Sequence, residues 1–141
     1  MLLIAHRGNT DGPNEKENRP SYIVDALSRG YDAEVDLWWC NSGWFTGHDK
    51  PQYQVSVAWL GQSGLWIHAK TVDTFSFLLS RGLNVFYHTD EEIVLTTGGY
   101  IWVYPGVECH SNKAIIVQQG KPSPVIRSAY GVCSDYVSHW K

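Results

Sequence analysis

Glu34 and Asp36 stand two apart in the stretch YDAEVDLWW, so on a β-strand their side chains share one face. Two carboxylates on one face of a buried strand repel each other and are costly to desolvate unless a cation or hydrogen-bond donors compensate. The pair therefore reads in one of two ways. It is a strand face neutralised by Arg or Lys, or it is a set of oxygen ligands for a hard divalent cation. Two histidines stand at the ends of apolar or aromatic runs, His6 in LLIAHRG and His48 in WFTGHD, each beside a charged residue. A lone histidine is commonly a structural hydrogen-bonder. Two that follow strands, with side chains that titrate near neutrality, are suited to moving protons between reacting groups.

The elements that must position these groups follow from hydrophobic patterning. LLIA (2–5) is a short continuous apolar run, as in a strand buried on both faces. A polar loop, NTDGPNEKENRP, comes next, and Pro20 opens a helical turn. SYIVDALSRG then places Tyr22, Ile23, Ala26 and Leu27 on one helix face, with Gly30 as C-cap and a strand at 31–39. The same order returns as a strand at 65–70, a helix at 71–82 with Thr or Asp near its start, and a strand at 83–90. Both helices end in Ser-Arg-Gly before a strand, which supports two βαβ units and a parallel sheet. The last third is less helical. EEIVLTTGG offers at most a short helix or turn, and YIWVYPG (100–106), KAIIVQQ (113–119) and YGVCSDYV (130–137) read as strands, with a GKPSP loop between the last two. WFTGHD (44–49) is hairpin-like. In a parallel sheet the carboxyl ends of the strands form one face, near which His6, Glu34, Asp36, His68, His88 and Asp135 would all project.

Bulk properties narrow the class. The 141 residues, 43% hydrophobic and 18% charged, are expected to form a single compact domain over 1–141. A net charge of -3, with no run of four basic residues, argues against nucleic acid as a partner. Three cysteines without CxxC spacing argue against a disulfide framework or a structural zinc site, and suggest a reducing, cytoplasmic compartment. The N-terminus has no basic n-region, and no 18-residue apolar segment is present, so no membrane span is expected.

HRG at 6–8, EN at 17–18 before a helix, ALSRGYDAEVD at 26–36 and GHD at 47–49 together resemble the glycerophosphodiester phosphodiesterase family, a branch of the phospholipase-C-like phosphodiesterases. Farther along, WIHAK, IWVYPG and YGVCSDYV are similar to that family's I-E-x-K, W-T-x-N and G-I-x-T-D-x-P strands. The resemblance implies metal-assisted hydrolysis of a glycerophosphodiester or sugar-linked phosphodiester, a small-molecule substrate. His6 and His48 would be general base and acid, and Glu34 and Asp36 metal ligands. Arg7 would hold phosphate, with Lys70 directed at phosphate or a carboxylate. Trp102 and neighbouring aromatics would suit stacking on a sugar or glycerol group. Gly8 would let the backbone turn sharply around the substrate.

Two departures from the family pattern follow. The third metal ligand of the family is a glutamate, and His68 stands in its place. An imidazole there weakens the case for Mg²⁺ or Ca²⁺ and strengthens that for Mn²⁺ or Zn²⁺. Glu17 is a candidate to compensate, and His68 is alternatively a substrate contact. The second departure is length. A (β/α)8 barrel takes roughly 250 residues, so the resemblance implies a reduced TIM-like (β/α) barrel with several outer helices missing. Bare apolar surface at Val55, Val57, Trp59 and Trp66 would then be covered in a homodimer or higher homo-oligomer. The alternative function is a catalytically inactive module that binds a phosphate or glycan ligand on the same fold.

Overall fold

The computed structural model describes residues 1–120, 122 and 128–140. Most of the GKPSP loop expected at 120–124 lies outside the described residues. Among them, ten strands form one sheet, accompanied by three short α-helices. β1 (Leu2–Ala5), β2 (Asp32–Cys40), β5 (Leu65–Ala69) and β6 (Val85–Phe86) run parallel on one side of the sheet. β8 (Ile101–Val103), β9 (Ala114–Gln118) and β10 (Gly131–Ser134) continue the parallel run on the far side of β1. Three more strands pair antiparallel. β3 (Gly43–Thr46) folds back on β2, β4 (Tyr53–Val55) on β3, and β7 (Ile93–Leu95) on β8.

The expected TIM-like (β/α) barrel is not what forms. The molecule is a curled, mixed, open sheet. Among the described residues no ladder joins β6 to β7 or β8; Thr97, just past β7, meets that edge instead, its N–H donating to the Val85 carbonyl at 2.8 Å. The helices α1 (Pro20–Ser28), α2 (Val57–Leu60) and α3 (Val72–Leu78) are all in the first part of the chain. The physical reason lies in the connections. β8 and β9 pair in parallel through residues 104–113, which hold no helix, whereas a barrel repeat needs a helix in each crossover.

Hydrophobic side chains fill both faces of this sheet. Ala33, Val35 and Leu37 of β2 and Ile67 of β5 pack outward against Ile23 and Ala26 of α1, Leu60 of α2 and Leu78 of α3. On the concave side Ile4, Trp66, Phe86, Trp102, Ile115, Val117 and Cys133 form a second core. Val55 and Trp66, expected on a bare surface, are buried within the chain; Val57 is exposed and Trp59 half-buried. The surface on which an oligomer was expected is therefore smaller than the sequence suggested. No described helix is long and apolar enough to cross a membrane.

The helix boundaries have local causes. Pro20 starts α1, its fixed φ and missing N–H costing nothing at a first turn. The Thr71 hydroxyl accepts from the Thr74 N–H at 3.1 Å and caps α3. The β2–β3 hairpin turns on Asn41 and Ser42, both with positive φ (49° and 62°), as a two-residue turn matched to strand twist requires.

Candidate active site

β2 is the strand that builds the site. It lies between β1 and β5, so the side chains alternating with Ala33, Val35 and Leu37 point to the concave face. These are Glu34 and Asp36, both buried. β5 pairs in register beside it, placing His68 opposite Asp36 with His68 Nδ1 3.0 Å from Asp36 Oδ1 and 3.9 Å from Glu34 Oε1. Lys70 follows, with Nζ 3.4 Å from the same Asp36 oxygen.

On the other side of β2, the chain leaves β1 in a single turn of 3-10 helix, His6–Gly8. Arg7 takes a left-handed conformation (φ 53°) and donates its backbone N–H to Glu34 Oε2 at 3.0 Å. Its guanidinium donates to Glu17 at 3.1 Å through Nη1, and its Nε lies 3.3 Å from Asp36 Oδ2. That Nε is buried and makes no hydrogen bond among the described residues. Gly8 (φ 87°) is needed here for packing, because a Cβ would come within 2.9 Å of the Tyr22 ring on α1.

His6 is held at one nitrogen. Its Nδ1 lies 2.8 Å from Asp135 Oδ1, just past β10, and its Nε2 faces Glu34 Oε2 at 4.0 Å. Asn9 secures the partner, donating to Asp135 and to Glu17 at 2.8 Å each. His48 sits on the loop after β3, its Nδ1 2.8 Å from the exposed Asp49 carboxylate. Trp38 donates from Nε1 to the Gly47 carbonyl at 2.6 Å and pins that loop. Gly47 has no alternative, since a Cβ would fall 2.1 Å from the Lys50 carbonyl oxygen.

These groups converge on one pocket of about 310 Å³, lined by His6, Arg7, Glu34, Asp36, His48, His68 and Lys70 on its polar side. Phe86, His88, Trp102 and Tyr104 line its aromatic side. Glu17 is outside this pocket; it lines an adjoining one and reaches the site through Arg7. Trp102 is buried, stacked on Phe86 with ring centroids 4.2 Å apart, and presents only part of its ring.

Charge in the pocket is finely divided. Burial and the neighbouring Asp36 push the Glu34 carboxyl up to about 7. Burial also acts upward on Asp36, but contact with His68 and the charges of Lys70 and Arg7 outweigh it and hold Asp36 well below the usual carboxylate range. Burial lowers His68, and although the contact with Asp36 acts upward, burial with the charge of Lys70 prevails. Burial works the same way on His6, yet the bond to Asp135 and the charge of Glu34 prevail and raise it.

The Glu34, Asp36 and His68 donor atoms lie within 4.8 Å of one another, a group able to hold a metal ion. The donor chemistry fits one. Two donors each about 2.1 Å from a common ion stand no more than about 4.2 Å apart. His68 Nδ1 meets that condition with Glu34 Oε1 at 3.9 Å and with Asp36 Oδ1 at 3.0 Å, while the set of three spans up to 4.8 Å and would draw together slightly around an ion. An imidazole beside two carboxyl groups is a mixed nitrogen and oxygen set.

Sequence reasoning passed over Asn18. Its φ is 63°, its amide donates to Asp36 Oδ2 and its side-chain oxygen accepts the Asp36 N–H, both at 2.9 Å. The EN pair at 17–18 was the available signal, and the left-handed backbone that Asn tolerates explains the residue type. His88, expected near the strand-end face, stacks on His68 with centroids 4.5 Å apart and lines the pocket. Comparison with known protein families, with curated proteins and with solved structures finds no match for this chain.

Proposed function

We propose that this pocket hydrolyses a phosphodiester with the help of a divalent metal ion, as in the glycerophosphodiester phosphodiesterases that the sequence resembles. One observation carries the reading: a buried carboxylate pair meets two permanent cations and four histidines, His6 and His48 among them, in a single pocket. Asp36 and Glu17 already pair with Arg7 and Lys70, so a diester anion gains little there until a divalent cation joins the pocket. A divalent ion held by Glu34, Asp36 and His68 would supply Lewis-acid neutralisation of a phosphoryl oxygen. The mixed donor set extends the choice of ion from Mg²⁺ and Ca²⁺ to Mn²⁺ and Zn²⁺.

The chain's own groups do the rest. Asp135 fixes His6 by Nδ1 and leaves Nε2 on the carboxylate side of the pocket, where it takes the proton of the attacking water. His48, across the pocket, returns a proton to the departing alkoxide oxygen. Arg7, whose guanidinium Glu17 and Asp36 hold at the pocket wall, supplies positive charge beside the phosphate. Lys70 adds a second positive charge, and Trp102 forms the apolar wall for one ester arm. The three cysteines are unbridged, which fits a cytoplasmic setting.

Metal-stripped protein should turn over glycerophosphodiesters or a chromogenic diester only after Mg²⁺, Ca²⁺, Mn²⁺ or Zn²⁺ is restored. Binding of the diester by folded protein without turnover under any of the four ions would instead make this pocket a phosphate- or glycan-binding module.

A further inference from the structure

Three of the strands that reach the pocket make the same step. Two residues beyond a side chain given to the concave apolar core stands a histidine that lines the pocket: Ile4 and His6 from β1, Trp66 and His68 from β5, Phe86 and His88 from β6. His6 and His68 serve as proton acceptor and metal ligand in the reading above, and His88 takes no part in it. His88 lies flat against His68, with ring centroids 4.5 Å and planes 6° apart, and parallel to Phe86 at 6.1 Å. Packing alone does not account for an imidazole there. A phenyl ring would stack as well without burying a nitrogen, whereas His88 Nδ1 is buried with no hydrogen-bond partner among the described residues. Nor is His88 placed as a further metal ligand. It stands outside the group of donors that lie within 4.8 Å of one another, and rings that lie face to face do not converge on one ion.

Resting on the phosphodiester reading above, we propose that His88 is a further substrate-binding residue, its Nε2–H donating to a phosphoryl oxygen of the diester. The ring lines the pocket with Nδ1 buried, so Nε2 is the nitrogen left to a ligand. A phosphoryl oxygen accepts and cannot donate, so Nε2 carries the proton in the complex. Register supplies the neighbour. The β5–β6 ladder pairs His68 with Phe86, and two residues further along each chain come Lys70 and His88, both in the pocket lining. Together they offer a phosphoryl oxygen one full positive charge and one neutral, directional donor. His88 also stands where the pocket changes character. The carboxylates and Lys70 lie on one flank and Trp102 and Tyr104 on the other, with the Tyr104 ring edge-on to His88 at 6.2 Å. A donor at that boundary sets which way the diester lies, its phosphate toward the carboxylates and one ester arm along the aromatic wall.

The test separates contact from packing. Zn²⁺ binding would be measured by calorimetry, and dimethyl phosphate binding to the Zn²⁺-loaded protein by phosphorus NMR titration, for wild type, His88→Phe and His88→Gln. His88→Phe keeps a ring on His68 and removes the donor. It should hold Zn²⁺ as tightly as wild type and bind dimethyl phosphate about 10- to 100-fold more weakly, the worth of one hydrogen bond to a charged group. His88→Gln, which restores an N–H donor, should recover part of that loss. In wild type the His88 Nε2–H signal of nitrogen-edited spectra should move downfield as dimethyl phosphate is added. Undiminished affinity for dimethyl phosphate in His88→Phe would overturn the contact, and so would a His88 ring that carries its proton on Nδ1 in the complex. A loss in His88→Phe matched by an equal loss of Zn²⁺ affinity would overturn it too, since His88 would then act through His68. Turnover is read separately: weaker binding in His88→Phe without hydrolysis by wild type upholds the contact and rejects the hydrolase, and hydrolysis by wild type with unchanged binding in His88→Phe does the reverse.

Discussion

At the scale of single residues, the pocket is governed by which group holds which. Asp135 touches only one nitrogen of His6, yet it sets the ring's orientation and raises its proton affinity. Asp135→Asn should therefore lower kcat and move the His6 limb of the pH–rate profile to lower pH; an unmoved limb would show that Asp135 acts on packing alone. The same pair contributes to folding through linkage. Asp135 is held below its ordinary value of 3.8, so its share is complete above that pH and disappears as pH falls through the lowered value. His6 is raised above 6.5, so its share is complete below 6.5 and disappears as pH rises through the raised value. Urea unfolding of the metal-free protein from pH 5 down to pH 3 should show an acid-side loss that is shallower in Asp135→Asn. Asn18 is the other residue of this kind. Removing its amide in Asn18→Ala leaves the buried Asp36 short of two hydrogen bonds. The substitution should cost about 2–4 kcal/mol by denaturant titration, with Asn18→Gly, which relieves only the backbone, recovering a minor part.

At the scale of elements, β2 joins fold and site. Its outward residues pack under the helices and its inward pair forms the centre of the pocket. A core truncation beside it, Ile67→Ala on β5, should cost roughly 2–5 kcal/mol, read as a lower urea midpoint at unchanged slope. This arrangement was legible in the sequence wherever hydrophobic period and punctuation agreed. LLIA, the Pro20 helix, the AEVD strand, WIHA and the Thr71-capped helix all stand close to where patterning put them. It failed where pairing overrode composition. EEIVLTTGG reads as turn, with Ile93 and Leu95 exposed, but backbone bonding to β8 makes Ile93–Leu95 a strand at the sheet's antiparallel edge. The strand expected at 83–90 shrinks to Val85–Phe86, the length over which β5 offers a partner. Glu17 and Asn18 illustrate the limit for the site. Their types suggest polar contacts, but only the folded loop shows that one holds Arg7 and the other Asp36.

At the scale of the whole molecule, the curl of an open sheet, rather than a closed ring of helices, brings the strand ends together. The concave face is packed with Trp66, Phe86, Trp102 and Ile115, so the pocket has a solid apolar floor beneath its carboxylates. Such a floor keeps Glu34 poorly solvated, and binding of a cation there should stabilise the entire fold. With Mn²⁺ at about 100 times its Kd, linkage gives about 2.7 kcal/mol, or roughly 5–10 °C in Tm for a chain of this length. Glu34→Gln should abolish the shift in a thermal scan with and without the ion, whereas a shift of equal size in the variant would place the ion elsewhere.

The central claim, that His6 and His48 exchange protons with a phosphodiester in this pocket, is tested most directly by phosphorus NMR of a glycerophosphodiester incubated with metal-loaded protein. Wild type should convert the diester resonance to a monoester one. His6→Ala and His48→Ala, each shown to be folded, should do so about 10²–10⁴-fold more slowly. Conversion at wild-type rate by either variant, or no monoester from folded and metal-loaded wild type, would contradict it.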